Sequence, residues 1–254
     1  MKKLLVCAAV VGAVGVASTA RAVPVAYDGF ESYAAGAGLS GGSAGNGSTG
    51  PNGEFGWTSN WTAVSGVNVQ SAAPVGSRTG QLDATPDSVV AATRSFTPQS
   101  GTAVYFSLRY NPAAGLDGSD FVHFYLGNSG TTNSNTGGIG DIDTTLTTLG
   151  ARIGTTNGGT TVNSGTATAQ GTTYLLVGKL SKVSSTNFNR VDLFVNPAGT
   201  TEPATPDATQ TGDAGIAQLS TFSVRAFNLD AGDAYKFDDV RIGTAFGDVV
   251  PEPT

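Results

Sequence analysis

Hydrophobic and polar residues alternate one by one in short runs of this chain, separated by clusters of Gly, Asn, Thr, Asp and Pro. Period-two alternation marks strands with one face buried and the other turned out. Past Ala22 no stretch keeps helical apolar spacing over a useful length. The clearest runs predict strands over Thr102–Tyr110, Asp120–Leu126, Thr173–Leu180, Arg190–Val195, Thr221–Phe227 and Tyr235–Ile242. In the first, Val104, Phe106, Leu108 and Tyr110 share one face against Tyr105, Ser107 and Arg109. In the second, Val122, Phe124 and Leu126 oppose Phe121, His123 and Tyr125. Weaker runs lie at Val25–Phe30, Trp57–Val64, Gln81–Ala84, Ser88–Phe96 and Ala151–Gly154. About a dozen strands and no helix predict an all-β chain, a two-sheet antiparallel β-sandwich of jelly-roll type. Ala34–Gly53 is almost all Gly, Ser, Ala and Asn and reads as a mobile loop. Asn128–Thr148 and Thr200–Gly212 read as polar connections.

The first residues break this pattern. Met1-Lys2-Lys3 is a short basic start, Leu4–Val16 an apolar run too short for a comfortable bilayer span, and Ala20-Arg21-Ala22 a small-x-small cleavage site. The expectation is an export signal over residues 1–22, cut after Ala22, with an uncleaved anchor as the alternative. Cys7 precedes most of the apolar run, so it is not placed as a lipoprotein cysteine. Cleavage removes Lys2, Lys3 and Arg21 from the 13 basic residues and none of the 19 acidic ones, taking the formal charge from -6 to -9. It also removes the single Cys and the single Met. The mature chain then has no disulfide and no thiolate metal site, and it repels nucleic-acid phosphate. Its apolar share of 39% suffices for one large core, so the expectation is one domain with no membrane segment beyond the leader.

Three stretches carry a family resemblance. Asp28-Gly29-Phe30-Glu31-Ser32-Tyr33 leads through the Gly-rich loop to Gly56-Trp57-Thr58-Ser59-Asn60-Trp61-Thr62. Tyr174–Leu180 is followed by Val191-Asp192-Leu193-Phe194-Val195-Asn196-Pro197 and Glu202-Pro203. Phe237-Asp238-Asp239-Val240-Arg241-Ile242-Gly243-Thr244 precedes Val250-Pro251-Glu252-Pro253. In this order they resemble exported bacterial proteins with a concanavalin A-like (LamG-like) jelly roll and a PEP-CTERM sorting tail. The resemblance implies a secreted or cell-surface β-sandwich over 23–247, associated with envelope or extracellular polysaccharide, and a tail remnant over 248–254. Most members of that family have no assigned activity. Their tails continue into an apolar helix and a basic cluster, whereas this sequence stops at Thr254; either it is truncated there or this form is released without an anchor.

Some jelly-roll relatives are glycoside hydrolases, which need two carboxylates at a fixed separation. The Glu-x-Asp-x-x-Glu strand motif of the laminarinase type is missing, and Glu31, Glu54, Glu202 and Glu252 all fall near termini or in turn-rich segments. Asp120 and Asp192 are available, but nothing marks them. His123 is the only histidine and sits mid-strand without a nucleophile elbow, so no Ser-His-Asp site is expected. No phosphate loop or dinucleotide fingerprint lies between a strand and a helix. No catalytic residue is therefore expected.

Calcium needs six to eight oxygens. Carbohydrate modules resembling this chain bridge their first and last strands with a structural Ca2+, and the matching residues here are Asp28, Glu31, Asp238 and Asp239. The plain alternative is that Asp238 and Asp239 end a strand and accept backbone N–H bonds. The Asp230–Asp233 turn is a weaker candidate. For a glycan, aromatic faces and flanking polar groups are required. Trp57 and Trp61 point to one face and read better as core. The stronger candidate is an aromatic and basic face of Tyr105, Arg109, Phe121, His123, Tyr125 and Arg225, with Phe194 and Phe227 beside them, provided that their strands are neighbours. These observations point to a non-enzymatic exported protein that binds or is embedded in extracellular polysaccharide. A surface or matrix protein with no glycan ligand, and a polysaccharide hydrolase or lyase with an atypical aspartate site, are the alternatives.

Overall fold

Every strong run of alternation is a strand in the computed structural model, which describes residues 23–39, 54–63, 66–71, 76–83, 89–113, 116–129, 135–142, 148–155 and 159–251. The expected leader over 1–22, most of the Gly-rich loop and the last three residues lie outside the described residues. In chain order the strands are β1 Ala26–Asp28, β2 Thr62–Ala63, β3 Val67–Gln70, β4 Thr79–Asp83, β5 Val90–Gln99, β6 Ala103–Pro112, β7 Phe121–Gly127 and β8 Asn135–Asp141. Then follow β9 Thr148–Thr155, β10 Thr160–Ala167, β11 Tyr174–Ser181, β12 Arg190–Val195, β13 Ala208–Thr211, β14 Leu219–Phe227 and β15 Ala234–Gly243, with a short helix α1 at Phe246–Val249. The weak Trp57–Val64 run shortens to β2, and Trp57 makes only an isolated bridge to Phe96.

These strands form two antiparallel sheets, a two-layer all-β sandwich of the jelly-roll kind. One sheet runs β13-β12-β11-β6-β15-β4-β3, and the other β10-β9-β8-β7-β14-β5-β2. The eighth strand of the first sheet is β1, which shares an edge of β15 with β4: Ala234–Phe237 pair with β4, and Val240–Ile242 with β1. Between those halves the register against β6 shifts at Asp238–Arg241, and Asp239 takes φ 54°. Such a left-handed residue at a bulge re-aims the strand.

The inward faces meet in one core. Val104, Phe106, Leu108 and Tyr110 from β6 face Val122, Phe124 and Leu126 from β7, all with no exposed surface. A fully buried side chain of this kind contributes roughly 1.5–3 kcal/mol, so a sandwich this size needs no crosslink. Trp57 and Trp61 are in this core, each 2% exposed, so neither is a sugar platform.

A second, smaller apolar cluster covers the outside of the eight-stranded sheet. Phe246, Val249 and Val250 lie on Tyr105, Val177 and Phe194. Ser107 Oγ donates to the Val249 carbonyl at 2.5 Å, and the Asp248 carboxylate accepts the N–H groups of Thr244 and Ala245. The packed chain therefore runs through Val250, beyond the expected boundary at 247. Among the described residues no helix is long and apolar enough to cross a membrane.

Candidate functional site

The aromatic and basic face expected from the sequence is divided between the two sheets. Tyr105 and Arg109 belong to β6 in the eight-stranded sheet, while Phe121, His123 and Tyr125 on β7 and Arg225 on β14 belong to the seven-stranded one. Consecutive strands β6 and β7 cross from one sheet to the other, so their outward residues point to opposite sides of the molecule. Tyr105 lies under the C-terminal segment, its ring edge-on to Phe246, and donates its hydroxyl to Glu202 at 2.7 Å. Glu202 also pairs with Lys179 at 2.6 Å. Arg109 stands 3.7 Å from Asp239. Phe194 packs edge-on against Phe246. Tyr105 and Phe194 thus pack under the C-terminal segment, and Arg109 is paired with β15, all on the other sheet from Phe121, His123, Tyr125 and Arg225.

The remaining residues do form one surface. On paired strands β7 and β14, Arg225 lies opposite His123, Phe227 opposite Phe121 and Ser223 opposite Tyr125. The Phe121 and Phe227 rings are 5.8 Å apart, and the Arg225 guanidinium sits over both at 5.0 and 5.8 Å. A cation held over ring faces in this way is stabilised by their negative quadrupole. On the other side of β7, Gly140 and Gly138 of β8 lie opposite His123 and Tyr125, and Arg152 of β9 lies opposite Gly138. A Cβ on Gly138 would stand 2.5 Å from Tyr125 Cβ and 2.6 Å from His123 Nε2, so glycine is required for the His123 ring to lean over this strand. Arg152 is an addition to the expected set; alternation within the weak Ala151–Gly154 run already turned it away from the core.

Burial sorts these side chains. Phe121, Phe227, Arg225 and Arg152 are partly exposed. His123 is 3% and Tyr125 1% exposed, their rings 4.8 Å apart, so neither offers a face on which a sugar can stack. Desolvation, followed by the Arg152 and Arg225 charges, pushes the imidazole down to about 3. It is neutral at any ordinary pH, and its Nε2 has no hydrogen-bond partner among the described residues. The outward positions of the described strands from β5 to β9 include no carboxylate.

The carboxylates expected to bind calcium do not converge. β1 does pair with β15, Asp28 opposite Val240. Asp28, however, turns into the core, where its oxygens take Arg94, the Trp61 indole N–H at 2.7 Å and the Phe30 N–H at 2.9 Å. Glu31 accepts from Ser77 and the Arg78 N–H. Asp238 accepts the Asp239 N–H at the bulge, and Asp239 faces outward to Arg241 at 2.9 Å. At Asp28 and Asp239 a guanidinium stands where a cation would, and among the described residues no group of three or more His, Cys, Asp or Glu is placed to hold a metal ion. These four residues do not fit a calcium site.

A second carboxylate joins Asp28 in the interior. Glu54, 2% exposed, lies 3.8 Å from Arg94 and accepts the Ser32 hydroxyl at 2.5 Å. Burial and then the Asp28 charge push it up to about 7. An acid whose pKa is higher folded than unfolded contributes stability fully below about 4.5, and that contribution is lost as pH rises through about 7. Glu54→Gln is therefore expected to melt progressively above the parent protein as pH goes from 5 to 8, read as Tm against pH. Parallel curves would remove Glu54 from the account. Asp120, raised to about 6 mainly by burial, acts with the same sign, whereas His123 withdraws its contribution as pH falls from 6.5 toward 3. Asp192 on β12 is engaged by Arg190 and by Thr209 of β13, in the sheet opposite the β7 that Asp120 leads into.

No known protein family matches this chain, and no curated protein does. Among solved structures it is similar to the carbohydrate-binding module CBM66 from Bacillus subtilis, at TM-score 0.45 and 12% identity over 72% of this chain and 95% of that one. It is also similar to the Emp46p carbohydrate recognition domain, at TM-score 0.45 and 10% identity over 75% and 89%. A third is the exoplasmic domain of VIP36 in a form bound to Ca2+ and Man3GlcNAc, at TM-score 0.45 and 12% identity over 76% and 85%. The two-sheet architecture of this chain rests on its own strand pairing rather than on these likenesses.

Proposed function

We propose that this chain is an exported, non-catalytic β-sandwich module that binds an extracellular polysaccharide on the outer face of its seven-stranded sheet. The observation that carries this reading is the partly exposed Phe121–Phe227 pair with Arg225 across it. Sugar rings lay their apolar C–H faces on aromatic rings, while hydroxyls find polar groups at the margin. Thr93, partly exposed on the neighbouring strand β5, supplies such a group. Export is supported by the basic start, apolar run and Ala20-Arg21-Ala22 of the first residues. A binding role rather than hydrolysis is supported by where the carboxylates sit: Asp28 and Glu54 in the interior, Asp120 nearly fully buried, and none on the outward strand positions beside the aromatic pair.

The test is affinity electrophoresis and pull-down over a panel of soluble and insoluble polysaccharides, for the parent and for Phe121→Ala/Phe227→Ala. At least one glycan should be retained without release of reducing ends, and the double variant should lose about tenfold or more in affinity, since each 1.4 kcal/mol is about one decade. Equal retention by the variant removes this site. Release of shortened sugars favours the hydrolase or lyase reading. The covered His123 and Tyr125 favour a second reading, a surface or matrix protein with no glycan ligand. Silence across the whole panel supports that one.

A further inference from the structure

Resting on that reading of the face, we infer that the polysaccharide it takes is acidic, with a carboxylate or sulfate on the sugar meeting the Arg225 guanidinium. Charge is segregated on this molecule. The chain has 19 acidic against 13 basic residues, yet the outward positions of the described strands β5, β14, β7, β8 and β9 include Arg225, Arg152 and His123 and no carboxylate. A neutral sugar gives no reason for a face without carboxylates on an acidic chain, whereas an anionic one meets no strand carboxylate here.

Arg225 also differs from four other arginines of the sandwich. Arg94, Arg109, Arg190 and Arg241 each stand within 4 Å of a carboxylate. Arg225 has no ion-pair partner among the described residues, and its Nε is buried without an acceptor. Partial burial against Phe121 and Phe227 strips water from this guanidinium, and desolvation lowers its pKa. A desolvated cation without an anion is costly, and an incoming carboxylate or sulfate supplies the missing charge with bidentate geometry. Beside it, the buried His123 Nε2 also lacks a partner among the described residues, its ring packed over Gly138. Both atoms are buried on the same side of the sheet, on neighbouring strands where Arg225 and His123 stand in register.

The experiment compares the full chain on matched pairs of polymers: polygalacturonate against its methyl ester, and dextran sulfate against dextran, with single-stranded DNA as a non-sugar polyanion. Acidic members should be retained, their ester or neutral counterparts should not, and retention should fall with added salt. Arg225→Gln should weaken binding about tenfold to a hundredfold, as expected for loss of a charge-assisted pair, with Arg225→Lys intermediate. The melting temperature of each variant shows that the outward substitution leaves the fold intact, and Arg152→Gln provides an independent second probe. Retention of dextran or the methyl ester as strong as that of the acidic partner overturns the inference while leaving glycan binding in place. Retention of DNA without any acidic polysaccharide overturns it in favour of a general polyanion surface. Silence toward every sugar, acidic or neutral, overturns both readings together.

Discussion

Arg94→Met is expected to cost about 3–5 kcal/mol, the penalty for removing one partner of a buried ion pair. In a domain of this size that lowers Tm by about 6–20 °C. Arg94 occupies an inward position on β5, between Ala92 and Phe96, where alternation calls for an apolar residue. It crosses the interior to Asp28 on β1, so the pair ties the seven-stranded sheet to the eight-stranded one. Both side chains are essentially inaccessible, at 1% and 0%. Without the guanidinium, Asp28 keeps the Trp61 and Phe30 N–H donors but loses its countercharge, and Glu54 loses its nearest cation. Adding Asp28→Asn to Arg94→Met should restore part of the loss, because the stranded charge is then gone. A single variant that melts within 2 °C of the parent would show that the interior charge is compensated by some other means.

Trp61→Ala carries a cost of similar size, about 3–5 kcal/mol, through a different mechanism: the cavity left by a large aromatic side chain. The indole lies 6.0 Å from Phe30, 6.1 Å from Trp57 and Phe222 and 6.3 Å from Phe237, centroid to centroid. Phe222 belongs to β14 and Phe237 to β15, so this one ring is packed between the two sheets. Its N–H also donates to Asp28. Trp61→Phe keeps most of the packing and loses the donor, so it should fall between alanine and the parent in chemical denaturation. Since Trp61 and Arg94 share Asp28, their effects should not add, and a double-mutant cycle should show coupling of about 0.5 kcal/mol or more. Simple additivity would mean that the shared carboxylate does not link them.

Much of the fold was legible because alternation is a local signal. Arg190–Val195 appears with the expected bounds, and β6, β7, β11, β14 and β15 differ from expectation by no more than two residues at either end. Four strands were not legible, each for its own reason. In β8 the outward positions include Gly138 and Gly140 and the inward ones Gly137, Ile139 and Asp141, so there is almost no contrast to read. β10 and β13 are the outermost strands of their sheets, and the exposed polar character of β10 suits an edge. β3 is a four-residue strand at the other edge of its sheet. The site was half legible. Phe121, Phe227 and Arg225 were recognisable as outward residues, but nothing local distinguished them from Tyr105 and Arg109, which alternate just as well.

The order of residues determined which side chains turn inward and which turn outward, because a strand sends successive side chains to opposite faces wherever it pairs. It also set the character of each outward position: aromatic, basic, or glycine. Which outward positions meet was decided only in three dimensions, since a strand's neighbours are chosen by ladders between distant segments, such as Thr93 beside Ser223. Tertiary packing put Phe121 next to Phe227, laid the C-terminal helix over Tyr105, and gave Asp28 a guanidinium where a metal ion was expected.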